Sequence, residues 1–345
     1  MMLGPAASRT ATILAPAAAI CTATMTVRQL RSLAPAAPAL AESELAALVN
    51  HFRGASRVTC ITGAGISTHS GIPDYRSPRG SYSRGHKPMQ HADFVKSAAN
   101  RQRYWARSFV GWQYFSRARP NPAHQGLAAL EAAGWLSGGL ITQNVDGLHA
   151  AAGSRQCLHL HGRIDTVECQ QCSALSPRAE LQSRLAEANG AWARERSLEH
   201  EAASTPTELR ADGDIELSDA AVSGLVVPSC KRCGDGMLKP YVTFFGGSVP
   251  QQSVQAAADA VAAADALLVV GSSLQVFSAF RLARAAAQAG TPIAIINVGA
   301  TRADELSALR VGCDAVEVLP RLVEALGQRE VPPLRPPSEG VVGFS

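Results

Sequence analysis

Val58-Thr-Cys-Ile-Thr62, followed at once by Gly63-Ala-Gly65-Ile-Ser67, is the stretch that decides the fold of this chain. Its first half is short, apolar and rich in β-branched residues, which predicts a buried strand. Its second half is a glycine turn entering a helix, the arrangement in which backbone N–H groups and a helix N-terminus receive a pyrophosphate. Thr68 stands where the third glycine of the usual fingerprint would be, so the stretch needs support from the rest of the chain.

That support comes from three further short apolar runs, Leu140-Ile-Thr-Gln143, Ala266-Leu-Leu-Val-Val270 and Pro292-Ile-Ala-Ile-Ile296. Ala-rich helical stretches, such as Gln255 to Ala264 and Phe280 to Ala289, separate them, and Leu45, Leu48, Val49 and Phe52 have the spacing of a helix that Gly54 ends. The alternation predicts an α/β fold with a parallel sheet, whose ligands bind at the carboxyl ends of the strands. Those ends read Gly63-Ala64-Gly65, Gln143-Asn144-Val145-Asp146, Gly271-Ser272-Ser273 and Asn297-Val298-Gly299. All four are small or hydrogen-bonding, as a dinucleotide crevice requires. The expected organisation is a Rossmann-like core over about residues 42–75, 120–165 and 235–330, with a helical and cofactor-loop module over 76–119 and a zinc module over 166–234.

Two Cys-x-x-Cys pairs, Cys169/Cys172 and Cys230/Cys233, supply the four thiolates that close one tetrahedral, structural zinc site. Redox-active thiols are the alternative, although a thioredoxin-like site needs only one such pair. Residues 173–229 separate the pairs, so an insertion lies between two knuckles. Its stretch from Ala186 to Asp219 is charged and without a sustained apolar period, which predicts irregular structure. Cys21, Cys60, Cys157 and Cys313 are scattered and read as inert thiols.

Of the 345 residues 46% are hydrophobic, enough for one large core or two modules, and the net charge of +4 is small. No basic block interleaved with aromatics indicates nucleic acid, and no apolar run has the length of a membrane span. The first 41 residues are rich in Ala, Thr and Ser, carry Arg9, Arg28 and Arg31, and hold no acidic residue before Glu42. This is the composition of an organellar transit peptide, mitochondrial or chloroplast; an extension without an address would leave the protein cytoplasmic. Residues 331–345 read as a C-terminal tail.

In family order, Gly63-Ala-Gly-Ile-Ser67, Gly71-Ile-Pro-Asp-Tyr-Arg76, Gln143-Asn-Val-Asp146, His159-Leu-His-Gly162, the Cys pairs, Phe244-Phe-Gly246, Gly271-Ser-Ser-Leu274 and Asn297 resemble a sirtuin. The long knuckle interval, with Arg101-Gln-Arg-Tyr-Trp-Ala-Arg107, Asn121-Pro-Ala-His124 and Asp212-Gly-Asp214, is similar to the mitochondrial class II, sirtuin-4 type. The resemblance implies an NAD-dependent deacylase acting, as a monomer, on acylated-lysine proteins, with NAD as co-substrate and one structural zinc. It makes His161 the general base, with Asn144 and Asp146 acting on the ribose and the nicotinamide carboxamide. Asp74, Tyr75 and Arg76 become part of a lid, while Gly63, Ala64, Gly65, Ser67, Thr68, Gln143, Val145, Gly271, Ser272, Ser273, Asn297, Val298, Gly299 and Ala315 become contacts to the rest of the cofactor. Val242, Phe245 and Gly246 become the edge on which substrate backbone pairs. Tyr75, Tyr241 and Gly247 depart from the family pattern, and they fall in the cofactor loop and the substrate groove.

Two alternatives stay open at this stage: transfer of ADP-ribose to a protein side chain, and a non-catalytic NAD and zinc sensor. His159 and His161 are two residues apart and face opposite ways in an extended segment. His124, after Asn-Pro-Ala, reads as a hydrogen-bonder at a helix start. Tyr104 and Arg107 share one helix face, to be read either as a receptor for an acidic acyl tail or as a solvated surface.

Overall fold

The computed structural model describes residues 38–202 and 209–328. The leader up to residue 37 and the tail 331–345 lie outside the described residues. Folded structure begins slightly before Glu42: Leu40 is buried in the core, and its N–H donates to Glu317 Oε1 at 3.0 Å.

Among the described residues, nine strands build two sheets. They are β1 (Val58–Thr62), β2 (Leu140–Thr142), β3 (Cys157–His159), β4 (Gly162–Cys169), β5 (Leu175–Pro177), β6 (Leu238–Val242), β7 (Ala266–Val270), β8 (Ile293–Ile296) and β9 (Leu309–Val311). The large sheet is parallel, in the order β3-β2-β1-β7-β8-β9, so the direction of winding reverses between β1 and β7. At such a switch point a crevice opens beyond the strand ends. The four expected strands are all present; β3 and β9, three residues each, carry too little apolar sequence to be read in advance.

Both faces of the sheet are covered, as a parallel sheet requires. Alternate residues of β1, β7 and β8, such as Cys60, Leu268 and Ile296, pack against helices Glu42–Arg53, Pro122–Ala132 and Ala315–Leu326. Ile61, Val269 and Ile295 face the other way, onto Gln251–Ala262 and Phe277–Gln288. Helix Ala315–Leu326 passes so close to Gly126 that a Cβ there would lie 2.9 Å from Leu319 Cβ. The helix expected after the glycine turn is a seven-residue 3₁₀ helix, Ala64–Ser70, stopped by Gly71 in the left-handed region at φ 83°. Its first turn is drawn aside because Gly65 N–H donates across the sheet end to Gly271 O at 2.8 Å.

The small sheet is antiparallel, in the order β5-β4-β6. It shares a third core with helix Ala98–Phe115, in which Phe94, Trp105 and Phe109 meet Val167, Leu181, Leu185 and Leu238. Between the knuckles the expected irregular insertion is instead largely helical, with Arg178–Ala188, Gly190–Ala202 and the short Asp219–Val222. Few apolar anchors suffice because the helices lie against the module by one edge: Leu181 and Leu185 are four apart and buried, and Trp192 stacks on Phe109 at 5.5 Å. Trp192 Nε1 also donates to Ala221 O at 2.8 Å, closing the insertion on itself.

Trp105 is the centre of this third core, fully buried, with its Nε1 donating to Leu238 O at 3.1 Å. Trp105→Ala is expected to destabilise the fold by about 3–5 kcal/mol, the usual cost of deleting a buried large aromatic. Urea unfolding followed by circular dichroism measures it, and a loss under about 1 kcal/mol would remove Trp105 from that role.

Candidate active site

The carboxyl ends of β1, β2, β7 and β8 open into a cavity of about 700 Å³. Every residue expected at the cofactor, base or substrate positions lines it except Ser67: Gly63 to Gly65, Thr68, Asp74 to Arg76, Gln143 to Asp146, His161, Val242, Phe245, Gly246, Gly271 to Ser273, Asn297 to Gly299 and Ala315. The glycine turn fits a nucleotide because it brings no side chain larger than the Ala64 methyl to the crevice, and close packing leaves room for none at Gly63 or Gly65. A Cβ on Gly63 would lie 2.7 Å from Ser272 Cβ, and one on Gly65 would lie 2.8 Å from Gly271 O. Gln143 braces this junction by donating from Nε2 to Ser272 Oγ at 2.8 Å.

Ser67 is a correction to the expected contacts. It is buried behind the wall, where its hydroxyl donates to Asp146 Oδ2 at 2.7 Å and accepts from Asn144 Nδ2 at 3.1 Å. Asn144 Nδ2 is also 3.1 Å from Gly63 O, so one serine and one carbonyl set the amide's orientation. Leu148 N–H holds Asp146 Oδ1 at 2.9 Å. Burial pushes the Asp146 carboxyl up, against these donors. His124 stands behind Ser67 at 3.4 Å, and its Nδ1 accepts the Asn121 N–H within a helix-start capping box, the structural task expected of it. Burial lowers its pKa to about 4, so the ring is neutral.

His161 and His159 face different spaces. His161 lines the main cavity, whereas His159 lines a smaller hollow beneath β6. The His161 ring is held at both nitrogens, with Nδ1 3.0 Å from Gln143 O and Nε2 2.8 Å from Ser278 Oγ. A carbonyl only accepts, so Nδ1 carries the proton and Nε2 is the unprotonated, basic nitrogen. Burial lowers the pKa of the ring and the Gln143 carbonyl partly restores it. Gly162 follows in the left-handed region, where any Cβ would sit 2.0 Å from Tyr241 O, so no other residue fits directly after His161.

The lid and the insertion form the remaining wall. Tyr75, Tyr82 and Phe245 make a ring cluster with centroids 5.4 to 6.4 Å apart, joining the loop after Gly71 to the segment after β6. From the insertion, Leu209 O accepts from Arg84 Nη2 at 2.8 Å, Ala211 N–H donates to Ser81 Oγ at 3.2 Å, and Asp212 Oδ2 lies 3.2 Å from His86 Nε2. Ala211 and Asp212 thereby reach the cavity, a contribution sequence reasoning missed although Asp212-Gly-Asp214 was itself a visible motif. Ser278 was missed too, since a serine in an Ala-rich helix start carries no sequence signal. Tyr104 and Arg107 are not a solvated surface, and Tyr104 lines the cavity. Tyr104 is buried against Phe94, Trp105 and Phe244, and Arg107 is held by Asp214 at 3.3 Å, Glu216 at 3.2 Å and Ile215 O.

The four knuckle thiols converge, with all ligand atoms within 4.8 Å of one another. Cys169 and Cys233 Sγ are 3.7 Å apart, and Cys172 and Cys230 Sγ are 3.8 Å apart. Zn–S bonds of about 2.3 Å in a tetrahedron require edges of about 3.8 Å, so the cluster fits zinc with no position left open. Backbone N–H groups of Gln171 and Arg232 point at Cys169 and Cys230 Sγ, and Gly236 leaves the space a Cβ would fill 2.3 Å from Cys169 Sγ. The other scattered thiols among the described residues are deprotonated with difficulty; burial pushes Cys157 up to about 12 and Cys60 higher still.

Fold and site together define an NAD-dependent enzyme with a structural zinc module. The Sir2 family model matches residues 63–278. The chain is 44% identical to the NAD-dependent protein deacylase SRT2 of Arabidopsis thaliana, over 88% of this chain and 82% of that one. It is 49% identical to an NAD-dependent protein deacetylase of Bordetella bronchiseptica, over 81% and 98%. To the NAD-dependent protein lipoamidase sirtuin-4, mitochondrial, of Homo sapiens it is 46% identical, over 83% and 88%. Among solved structures, one described under the mechanism and regulation of Sir2 enzymes aligns with a TM-score of 0.63 at 29% identity, covering 83% of this chain and 98% of that one. A Sir2 complex with a p53 peptide and NAD⁺ aligns with a TM-score of 0.61 at 27% identity, covering 81% and 97%. The chain belongs to the Sir2 family.

Purified protein is expected to carry one zinc per chain, and Cys230→Ser to lose both the metal and the fold of the small module, since metal binding supplies folding free energy. Elemental analysis beside circular dichroism checks this; well-folded, zinc-free protein would contradict it.

Proposed function

We propose that the chain is a protein-lysine deacylase of the mitochondrial class II, sirtuin-4-type branch, which cleaves NAD and hands the acyl group to ADP-ribose. The observation that carries this reading is His161: a neutral ring with its basic Nε2 on the cavity wall, between the nucleotide-binding strand ends and the segment Val242 to Gly246. The branch assignment is supported by the 46% identity to human sirtuin-4 and by the long insertion that reaches the site.

NAD, when bound, supplies a glycosidic bond whose cleavage releases nicotinamide and leaves an electrophilic ribose carbon for the acyl-amide oxygen. Gly63 to Gly65 and Gly271 to Ser273 hold phosphate through backbone and hydroxyl groups, and Asn297 to Gly299 and Ala315 flank the adenosine end. Asp146 grips the carboxamide, with Ser67 and Leu148 N–H fixing its carboxylate. Asn144 orders the ribose side. His161 would accept a ribose hydroxyl proton at Nε2, freeing that oxygen to attack the acyl carbon, from which the lysine nitrogen departs. Acylated lysine enters beside Val242, Phe245 and Gly246. Part of that segment is already paired, because Phe245 O accepts from His91 N–H at 2.8 Å and Thr243 N–H donates to His161 O at 2.8 Å.

The protein is proposed to work as a monomer in the mitochondrial matrix, residues before Leu40 acting as transit peptide. Support comes from the Arg-bearing, acid-free leader and from the name of the human relative. Among the described residues no helix is long and apolar enough to cross a membrane. N-terminal sequencing of the cellular protein is expected to start before Leu40, which the core holds; an intact Met1 would contradict the import reading.

His161→Ala is expected to cut turnover of an acyl-lysine peptide by about 10²- to 10⁴-fold while leaving NAD⁺ affinity nearly unchanged. Asp146→Ala is expected to weaken both NAD⁺ use and nicotinamide inhibition. Because burial holds the His161 ring below the ordinary imidazole value of about 6.5, wild-type kcat/KM should be flat above neutrality and fall only as pH drops through that lowered pKa. Calorimetric NAD⁺ titration beside product mass spectrometry tests all three, and full activity in His161→Ala would end the proposal.

A further inference from the structure

A hydroxyl sits on the working nitrogen of the base. Ser278 Oγ is 2.8 Å from His161 Nε2, and both side chains line the cavity. Since Nδ1–H is committed to Gln143 O, Nε2 of the neutral ring has one lone pair, and Ser278 O–H donates to it. Ser278 is the second residue of helix Phe277–Gln288, whose start has no side-chain cap. Packing beneath that helix is tight, with Ala279 and Leu282 buried, so the hydroxyl is delivered from a rigid element.

We propose that Ser278 is the positioning residue of the general base, bonded to His161 Nε2 in both protonation states, an inference that rests on the deacylase reading above. In the resting enzyme its O–H donates to Nε2. The ribose hydroxyl displaces the serine O–H from that single lone pair, and as its proton moves to Nε2 the O–H bond of the sugar breaks and the N–H bond forms. The serine hydroxyl then rotates and accepts from the new N–H, keeping the imidazolium in place until the proton leaves. Serine serves both states because a hydroxyl is donor and acceptor on one rotor. The second bond, made to a cation, is the stronger of the two, so Ser278 supports the basicity that burial takes away.

The charged groups around the ring leave this role to Ser278. Asp74, Arg76, Asp146, Asp212 and Asp314 line the same cavity, yet the ring's two hydrogen bonds go to Gln143 O and Ser278. On the serine's own helix, Arg284 is turned onto Phe277 at 5.5 Å. Burial and the Gln143 carbonyl are the other influences on His161.

The test is an NMR titration of His161 in the full chain, comparing wild type, Ser278→Ala and Ser278→Thr, beside kcat and KM for NAD⁺ with an acyl-lysine peptide across pH. Loss of one net hydrogen bond predicts that Ser278→Ala moves the His161 midpoint to lower pH by about half a unit to one unit. It also predicts a kcat lower by about 5- to 10-fold, with KM for NAD⁺ within about twofold. Ser278→Thr should restore both. An unmoved or raised midpoint in Ser278→Ala, or a change that threonine does not reverse, overturns the proposal. Turnover failing in wild type while the midpoint shifts as expected would reject the deacylase reading and leave the Ser278–His161 pairing standing, so the two failures are separable.

Discussion

The contact between two glycine loops at the ends of β1 and β7 is the constraint from which the site follows. Gly65 N–H bonds to Gly271 O at 2.8 Å, and Gly271 itself is left-handed, with space for a Cβ only 2.4 Å from Ile66 N. Side chains at either place would wedge the loops apart. Held together, they set where Ser272 meets Gln143, where Gly63 O meets Asn144, and hence how the amide beside Asp146 is aimed. The parallel sheet therefore does more than support the crevice: its tightest crossing sets the positions of the polar groups that line it.

What could be read from the amino acids was what repeats locally. Val58–Thr62 and Ala266–Val270 are buried at every position, and that continuous burial appears directly as apolar, β-branched sequence. Cysteine spacing likewise declared a metal site, because ligand chemistry constrains neighbours along the chain. The insertion was harder. Its helices bury only an edge, so charge dominated the reading, and the cavity contact of Ala211 and Asp212 depends on a fold-back of more than a hundred residues onto Ser81 and His86. Ser67 shows a subtler limit: its place in the motif was plain, but its aim, inward to Asp146 and away from the cavity, is a property of the 3₁₀ turn.

The polar groups behind the wall form a graded support. Asn121 meets His124 and His124 meets Ser67 at 3.4 Å, and Ser67 holds Asp146 and Asn144 by hydrogen bonds of 2.7 and 3.1 Å. A second branch runs from His149 Nε2 to Thr62 Oγ1 at 2.9 Å and on to Thr142, which accepts the Asn144 N–H. Burial drives His149 down to about 3, so this layer holds neutral imidazoles and brings no extra charge near the carboxylate. Such a layer makes the site rigid without consuming its electrostatics.

Gly162 has a mechanical meaning beyond steric fit. The residue before it is the base, at the edge of the large sheet, and Gly162 itself opens β4, pairing with Val242 of β6 in the small one. One hydrogen bond, from Thr243 N–H to His161 O, ties the two segments. A shift of the backbone after Val242 therefore pulls on the carbonyl of His161, so that the small sheet and the imidazole are mechanically coupled through one peptide unit.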